Sequence, residues 1–320
     1  MLSVFKILGL LLKEVLLCFF IYNKEIKKQL PNELNIKELK RITFFSLIVP
    51  ALMSKSFALI QGKKITANQR QMLVLGCAAT PIFDDFFDDP TLDLSRLKQI
   101  IFSADTPFKP QHFKEKLFLN FWIKLYQSVH NKSFFLEITN TLITVQTSGL
   151  KLINAHSNYA ELKTICYDKG AASTLSYWLL IQNQNNNLFE NEVVKQSGKL
   201  FQLLDDILDI WFDWQEKNYT IATQCVTIQQ LKTDWETELN ELKKLVHALS
   251  ISNSAKREYL QIQFFLLSVG DVALQQLGKL DNANINFNPS NYSRKQLVCD
   301  MELWQNRWKW FQYFSNKKMY

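Results

Sequence analysis

The scarcity of glycine and proline most constrains what this chain can fold into. Its 320 residues include only eight glycines and seven prolines, whereas average usage of the two together is about 12%. Because both residues interrupt helices and favour turns, their scarcity predicts few turns and long helices. No series of alternating apolar and polar segments between glycine-rich turns indicates strands. The sequence therefore predicts an all-α fold, organised as one domain over residues 1–320.

The charge and cysteine patterns narrow the class of protein. The formal net charge is +7, but lysine and arginine are scattered and no nucleic-acid motif is present, so we expect no nucleic-acid partner. The five cysteines lie far apart and form no CxxC pair, which is typical of free thiols in a reducing compartment. We therefore expect a cytoplasmic protein. These cysteines are Cys18, Cys77, Cys166, Cys225 and Cys299.

The N-terminal segment is the most apolar part of the chain. Residues 2–22 are almost wholly apolar, yet Lys6, Lys13 and Glu14 interrupt them, and a membrane span needs about 20 nearly uncharged residues. Residues 1–35 are therefore predicted to form an amphipathic helix and a basic segment. Two interpretations stay open: a first helix packed on the rest of the bundle, or a peripheral membrane contact.

The first of two aspartate motifs is Asp84-Asp85-Phe86-Phe87-Asp88-Asp89. Two helical runs, 36–49 and 51–61, are predicted before it, separated at Pro50. The next helix should begin near Thr66, bend at Pro81 and end before Pro90. Residues four apart share a helix face, so Asp84 and Asp88 should lie together. Four acids at the negative end of a helix dipole need compensation, which a metal ion would supply.

The second motif is Phe201-Gln202-Leu203-Leu204-Asp205-Asp206-Ile207-Leu208-Asp209, with Asp213 four residues further on. A helix over 190–213 would place Asp205, Asp209 and Asp213 on one face. Oxygen-only ligands suit magnesium, which also accepts substrate phosphates. Two such faces across a helical bundle would hold a diphosphate through bridging metals. Later helices are predicted over 227–249, 254–279 and 294–314.

Other phosphate-binding signatures are missing from the sequence. There is no glycine-rich phosphate loop, nucleophile elbow or HExxH motif. Phosphate binding must then come from metals and side chains, for which Lys169, Arg96 and Lys217 are the candidates. Each of these cations has an alternative interpretation as an ordinary solvated surface residue.

The two motifs resemble those of the class I isoprenoid synthases. Asp84 to Asp88 is similar to the DDxxD motif of that superfamily, and Phe201 to Asp209 is similar to the FQxxDDxxD motif of trans-prenyl diphosphate synthases. Lys169-Gly170-Ala171 lies about where that branch has a Lys-Thr pair contacting diphosphate. The resemblance covers roughly residues 66–280.

The resemblance implies a helical bundle around a deep apolar cavity, with three magnesium ions at its mouth. It implies an enzyme that ionises a prenyl diphosphate to an allylic carbocation. The implied catalytic residues are Asp84, Asp88, Asp205 and Asp209. The implied metal ligands are Asp84, Asp85, Asp88, Asp205, Asp209 and Asp213. The implied contacts of the substrate diphosphate are Lys169, Arg96, Gln202 and Lys217.

The cavity wall is expected on the helix turns just below Asp84. The implied wall residues are Gly76, Cys77, Thr80 and Phe87. Because the side chains from Gly76 to Thr80 are small, the cavity should extend past that level and accept farnesyl or geranylgeranyl diphosphate. The alternative is that the small residues only permit close helix packing.

Three functions stay open at this point. The first expectation is a magnesium-dependent terpene synthase (cyclase), because only Gly62-Lys63-Lys64 and Arg96 represent a second diphosphate site. The alternative is a trans-prenyltransferase, either a prenyl diphosphate synthase or a head-to-head coupling enzyme, which the Phe201-Gln202 prefix and Lys169 favour. The third is a non-catalytic helical binding protein. A homodimer is a further expectation.

Overall fold

The computed structural model of the protein describes residues 4–102, 107–152, 158–182, 187–280 and 286–316. Within these ranges the ordered elements are helices and no strand occurs. The prediction of an all-α fold is thereby confirmed.

Fourteen α-helices lie in the described ranges. In chain order they are α1 Val4–Ile21, α2 Ile36–Ile60, α3 Ala67–Asp88, α4 Leu94–Phe102, α5 Phe113–Ser128, α6 Lys132–Leu152, α7 Tyr159–Leu179, α8 Leu188–Leu208, α9 Ile210–Glu216, α10 Ile221–Gln224, α11 Ile228–Ala248, α12 Asn253–Leu277, α13 Arg294–Leu297 and α14 Trp304–Asn316. A π-helical turn, Tyr22–Ile26, and a 3-10 turn, Lys27–Gln29, follow α1, and a second 3-10 turn covers Pro289–Asn291.

The chain divides into two compact units. One comprises residues 5–140 and 176–186, and is called the first-motif unit. The other comprises residues 1–4, 141–175 and 187–320, and is called the second-motif unit. A single domain over residues 1–320 stays a prediction.

The first-motif unit is built on the pairing of α2 with α3, which also packs against α5. Thr66 caps α3 by accepting from Gln69 N, while Gln69 Oε1 accepts from Thr66 N. The predicted start of this helix is confirmed. The predicted break at Pro50 is wrong, because α2 runs through it. Pro50 is buried in the packed helix, and this packing offsets the one backbone hydrogen bond that proline removes.

The length and composition of α2 would also allow it to cross a membrane. It is the one helix in the described ranges with this property. Core packing explains the composition equally well, because α2 lies against α3 and buries residues along its length, including Ile42, Ala51, Phe57 and Ile60.

The second-motif unit is built around α8, which packs against α10, α11 and α12. Gly270 of α12 lets Trp235 of α11 approach, since a Cβ there would lie 2.7 Å from the indole. The Trp235 nitrogen donates to Asp271 at 3.0 Å. The helices predicted over 227–249 and 254–279 are confirmed within a residue or two. The helix predicted over 294–314 is instead divided into α13 and α14.

Candidate functional site

The first aspartate motif forms the C-terminal turn of α3. The helix ends at Asp88, and the backbone N–H of Asp89 closes it by donating to Asp85 O at 2.8 Å. The predicted position at a helix C-terminus is confirmed. The motif separates into two faces, because consecutive helical residues point about 100° apart. Asp84 is half-buried and Asp88 is exposed, whereas Asp85 is buried.

The face formed by Asp85 and Asp89 is neutralised by cations of the same unit. Lys114 Nζ lies 2.9 Å from Asp85, 3.0 Å from Asp89 and 2.8 Å from Glu38 of α2. Its side chain is only 7% exposed. The Arg41 guanidinium pairs with the other oxygen of Asp85 and donates to Pro81 O at 2.6 Å. Both oxygens of Asp85 are thus engaged, which argues against its predicted role as a metal ligand.

The ionisation of these groups reflects that pairing. Hydrogen bonds from Thr91 lower the pKa of Asp89 to about 2, and Lys114 adds to this effect. Partial burial opposes the shift. Burial opposes ionisation of Glu38, but the hydrogen bond from Lys114 dominates and lowers its pKa. Burial likewise opposes the charge of Lys114, yet its three carboxylate partners raise its pKa. Asp89 and Glu38 are therefore charged and compensated by Lys114.

The second motif ends α8 and continues into α9. The helix predicted over 190–213 is interrupted at Asp209, whose φ of −97° and ψ of 9° end α8. The hydrogen-bond pattern nevertheless persists, because Asp209 N donates to Asp205 O and Asp213 N to Asp209 O, both at 2.9 Å. Asp205, Asp209 and Asp213 thus form an unbroken column one turn apart, here called the carboxylate ladder.

The carboxylate ladder carries poorly compensated negative charge. Asp205 and Asp209 are exposed to solvent and Asp213 is half-buried, yet surrounding protein desolvates all three. Desolvation raises the pKa of Asp205 even though the charge of Lys169 lowers it. Desolvation and then the Asp205 charge raise the pKa of Asp209 to about 6. Desolvation and the neighbouring aspartates raise the pKa of Asp213 to about 7.

Asp206 is a residue whose role the sequence interpretation missed. It is buried, and its carboxylate accepts from Gln202 Nε2 at 2.8 Å and from Ile221 N at 3.1 Å. It thereby holds the start of α10 against α8. Desolvation, opposed by the Gln202 hydrogen bond, raises the pKa of Asp206 to about 6. The available signal was its place next to Asp205, which on a helix points it towards the core.

Gln202 therefore has a local partner. Its amide nitrogen donates to Asp206. The sequence had predicted that Gln202 contacts the substrate diphosphate. Its observed role is to orient a buried carboxylate one turn along the same helix.

Lys169 reaches the second motif because α7 and α8 cross at glycines. A Cβ on Gly198 would overlap Gly170 O and lie 2.6 Å from the Thr174 hydroxyl, and one on Gly170 would lie 2.7 Å from Gln202 Cβ. Only glycine permits this approach. Lys169, adjacent to the crossing, is half-buried, and its charge lowers the pKa values of Asp205 and Asp206. Its predicted diphosphate contact stays a prediction, and this placement supports it.

Arg96 is engaged within its own unit. Its guanidinium pairs with buried Glu115, with Nη2 2.8 Å from Oε2, donates to Lys109 O at 2.9 Å and stacks over Phe108 at 4.7 Å. Glu115 also completes the cap of α5, accepting from Gln111 N at 2.7 Å. These contacts argue against the predicted role of Arg96 in binding diphosphate.

Lys217 closes α9 as a left-handed residue. Its φ is 60°, and Asn218 N donates to Asp213 O at 2.7 Å to end the helix. Its side chain is exposed. Its contact with a diphosphate stays a prediction.

The predicted cavity wall is closed at two of its four positions. Cys77 is 0% exposed, and a Cβ on Gly76 would lie 2.6 Å from Leu180 Cδ1 and 3.5 Å from the Tyr177 ring. The small residues here admit the end of α7 and its following turn, as the packing alternative expected, which argues against a wall role for Gly76 and Cys77. Thr80 is half-buried and hydrogen-bonds the Tyr177 hydroxyl.

Phe87 is the remaining predicted wall residue. It is half-buried, and its ring packs against Phe83 with 5.2 Å between centroids. Its contact with a substrate chain stays a prediction.

Comparison with known proteins identifies the architecture. No protein-family model matches the chain, and no curated protein matches it in sequence. A crystal structure of geranyltransferase from Legionella pneumophila is similar, with a TM-score of 0.51 and 13% identity over 83% of this chain and 98% of that one. The chain has a trans-prenyl diphosphate synthase-like fold. A crystal structure of a geranylgeranyl pyrophosphate synthase is also similar, with a TM-score of 0.46 and 10% identity over 79% and 98% of the two chains.

This prenyl diphosphate synthase-like fold confirms the architecture that the two motifs indicated. At such low identity the likeness shows the fold alone.

Proposed function

We propose that the protein is a magnesium-dependent trans-prenyltransferase that ionises an allylic prenyl diphosphate and transfers the prenyl group to an isoprenoid acceptor. The carboxylate ladder carries the proposal. Three aspartates stand one turn apart with raised pKa values, and the charge of Lys169 acts on the first of them, Asp205. The likeness of the fold to a geranyltransferase supports the transferase alternative over the cyclase that the sequence favoured first.

The chemistry of the two motifs fits magnesium bound together with its substrate. Among the described residues no group of three or more His, Cys, Asp or Glu side chains is arranged to hold an ion. Magnesium commonly uses one or two carboxylates and completes its shell with waters and substrate phosphates. One or two neighbouring members of the set Asp205, Asp209 and Asp213 would hold each ion at the ladder, and Asp84 and Asp88 would do so at the first motif. Bound magnesium would act as a Lewis acid on the leaving diphosphate.

The residues of the chain would supply orientation and further charge. Lys169 would donate to the diphosphate as negative charge develops on the leaving oxygen. Asp206 and Gln202 would fix the register of the ladder through the start of α10. That Asp84 and Asp205 act on the same diphosphate stays a prediction.

Product analysis tests this proposal. The full chain would be incubated with magnesium and geranyl, farnesyl or geranylgeranyl diphosphate, each with and without isopentenyl diphosphate. Longer diphosphates formed only with isopentenyl diphosphate support chain elongation. Asp84→Asn and Asp205→Asn should each lose about 100-fold or more in kcat/KM, while Glu236→Gln, an exposed acid on α11, should keep wild-type turnover. Near-complete activity of both aspartate variants would contradict the assignment.

A cyclase is the second candidate, and the contacts of Arg96 favour it. Chain elongation needs a second diphosphate site, and Arg96 is committed to Glu115. Gly62-Lys63-Lys64, the other sequence candidate, forms an exposed turn with a Gly62 φ of 65°. Hydrocarbon products without isopentenyl diphosphate would establish the cyclase. Farnesyl and geranylgeranyl diphosphate remain the proposed substrates, and no turnover of any substrate would favour a non-catalytic protein.

We propose that the protein is cytoplasmic and forms a homodimer. All five cysteines are buried and none forms a disulfide, which supports a reducing, cytoplasmic setting. A homodimer is retained as a proposal, which light scattering of the purified chain would test.

A further inference from the structure

We propose that α1 is a docking surface for anionic membranes. Its outward side carries six large apolar residues that remain exposed in the folded chain. These are Phe5, Leu8, Leu12, Leu16, Phe19 and Phe20, with exposures of 75%, 38%, 60%, 51%, 46% and 70%. At 100° per residue they occupy a continuous arc about 120° wide. This set is here called the α1 apolar face.

The opposite side of α1 is anchored to the first-motif unit. Ile7, Leu11 and Cys18 are buried. Glu14 is also on that side, where its carboxylate pairs with Arg70 at 2.9 Å. The helix is therefore held in place by one face and presents the other. A contiguous exposed apolar arc of this size is typical of an interaction surface.

The charges next to the α1 apolar face indicate what covers it. Lys6 and Lys13 are exposed and lie within about 40° of its edge on the helical wheel. Lys24, Lys27 and Lys28 follow in the exposed turns after α1. The two acids between residues 4 and 30 are both paired, Glu14 with Arg70 and Glu25 with Lys124 at 3.1 Å. The segment is thus an apolar strip bordered by net positive charge.

This pattern favours a lipid surface over a second copy of the chain. In a symmetric dimer the same face would meet itself, which would bring Lys6 and Lys13 towards their own copies. Glu14, the one acid of α1, lies on the opposite side of the helix and pairs with Arg70, so it would not face Lys13 of the other copy. Anionic headgroups would neutralise the lysines, while the apolar side chains enter the boundary of the acyl region. The inference does not depend on the proposed catalytic function.

Vesicle co-sedimentation tests the inference with the full chain. Wild-type protein should bind vesicles containing phosphatidylglycerol and phosphatidylcholine, and bind pure phosphatidylcholine about 10-fold or more less tightly. Leu12→Gln with Leu16→Gln should weaken partition by about 30-fold or more. Leu188→Gln with Val226→Gln, at 73% and 51% exposure on other segments, is the matched control and should bind as wild type.

The role of charge is tested in the same vesicle assay with the double variant Lys6→Glu and Lys13→Glu. This variant should lose the preference for anionic vesicles. All four substituted positions on α1 are exposed, so thermal unfolding should be unchanged, and it is recorded for each variant. Equal vesicle binding by wild type and Leu12→Gln with Leu16→Gln would overturn the inference. So would light scattering that shows a dimer lost in that variant, without any vesicle binding by wild type.

Discussion

The aspartates that end α3 lie beside built-in cations, whereas within the described part of the chain the cation that acts on Asp205 and Asp206 at the end of α8 is Lys169. Asp85 and Asp89 pair with Lys114, and Asp85 also pairs with Arg41. In the carboxylate ladder, Asp209 and Asp213 have pKa values raised to about 6 and 7. Similar sequence motifs are thus embedded in opposite electrostatic environments.

This difference separates structural acids from acids available for chemistry. A compensated carboxylate contributes to folding and has little reason to bind a cation. An uncompensated, solvent-accessible one is costly until a metal arrives. Within the first motif, Asp85 is buried and paired with Arg41 and Lys114, whereas Asp88 is exposed to solvent. The motif alone does not distinguish these roles, but the neighbouring cations do.

The largest effect on stability is expected from removing Lys114, the cation shared by the acids at the end of α3. Lys114→Met leaves Glu38, Asp85 and Asp89 facing each other without their shared cation, and should cost about 3–5 kcal/mol of unfolding free energy. Urea denaturation at pH 7 measures it. Lys116→Met, an exposed neighbour on the same helix, should change stability by less than about 0.5 kcal/mol. Equal effects of the two variants would contradict the role given to Lys114.

A somewhat smaller loss is expected where α7 crosses α8 under the ladder. Gly198→Ala places a Cβ against Gly170 O, and backbone cannot yield easily, so a loss of about 1–3 kcal/mol is expected. Gly9→Ala is the control, because its Cβ would meet nothing within 4 Å, and helix propensity should make it neutral or slightly stabilising. Thermal unfolding of both variants gives the comparison. Wild-type stability of Gly198→Ala would show that the crossing is not tight.

The pH dependence of the metal-free protein sharpens the contrast. The folded pKa of Asp213, about 7, exceeds its unfolded value near 4. Ionisation of Asp213 therefore lowers the free energy of unfolding as pH rises from about 4 to 7. Asp213→Asn in a chelator should be more stable than wild type at pH 8, by on the order of 1 kcal/mol, and equal to it at pH 4. A loss of stability at pH 8 would reverse the interpretation.

Asp89 should show the opposite dependence. Its folded pKa, about 2, is below the unfolded value, so its stabilising contribution is complete above about pH 4 and is lost as pH falls towards 2. Asp89→Asn should lower stability at pH 7 by about 1 kcal/mol and change it little at pH 2. Unfolding curves at the two pH values measure the difference. An unchanged stability at pH 7 would remove Asp89 from the compensated face.

The smallest stability effect is expected at Lys169. Lys169→Met removes the cation that favours ionised Asp205 and Asp206, so metal-free stability at pH 8 should fall by a few tenths of a kcal/mol. The weakening of diphosphate binding should be larger, about 10-fold. Isothermal titration with magnesium and inorganic diphosphate measures this. Lys163→Met is the control, since Lys163 pairs with Asp234 instead. Equal binding by Lys169→Met and wild type would exclude the contact.

Local rules accounted for much of the fold and part of the site. The scarcity of glycine and proline predicted long helices, α3 begins next to Thr66 as expected, and four-residue spacing predicted the ladder. Tertiary packing decided the rest. Pro50 continues a helix because α2 is packed on α3, and a side chain at position 76 would meet Tyr177 of α7.

The roles of individual charges depended on partners that are distant in sequence. Lys114 follows Asp85 by 29 positions, and nothing local distinguishes it from the other basic residues. The sequence made Arg96 a candidate to bind diphosphate, but in the structure it pairs with Glu115. Asp206 is adjacent to Asp205 and of the same residue type. One step along the helix nevertheless turns Asp206 towards the core, where it is buried. Sequence spacing predicts which residues share a helix, but not which neighbouring helix neutralises them.

The most direct test of the central claim is the stabilisation of the protein by magnesium with inorganic diphosphate at pH 8. If the ladder is uncompensated until this pair binds, the wild-type Tm should rise only when both are present, because binding to the folded state alone stabilises it. Asp205→Asn should abolish that rise, and Glu236→Gln should keep it. An equal rise in Tm for wild type and Asp205→Asn, or none in wild type, would contradict the account.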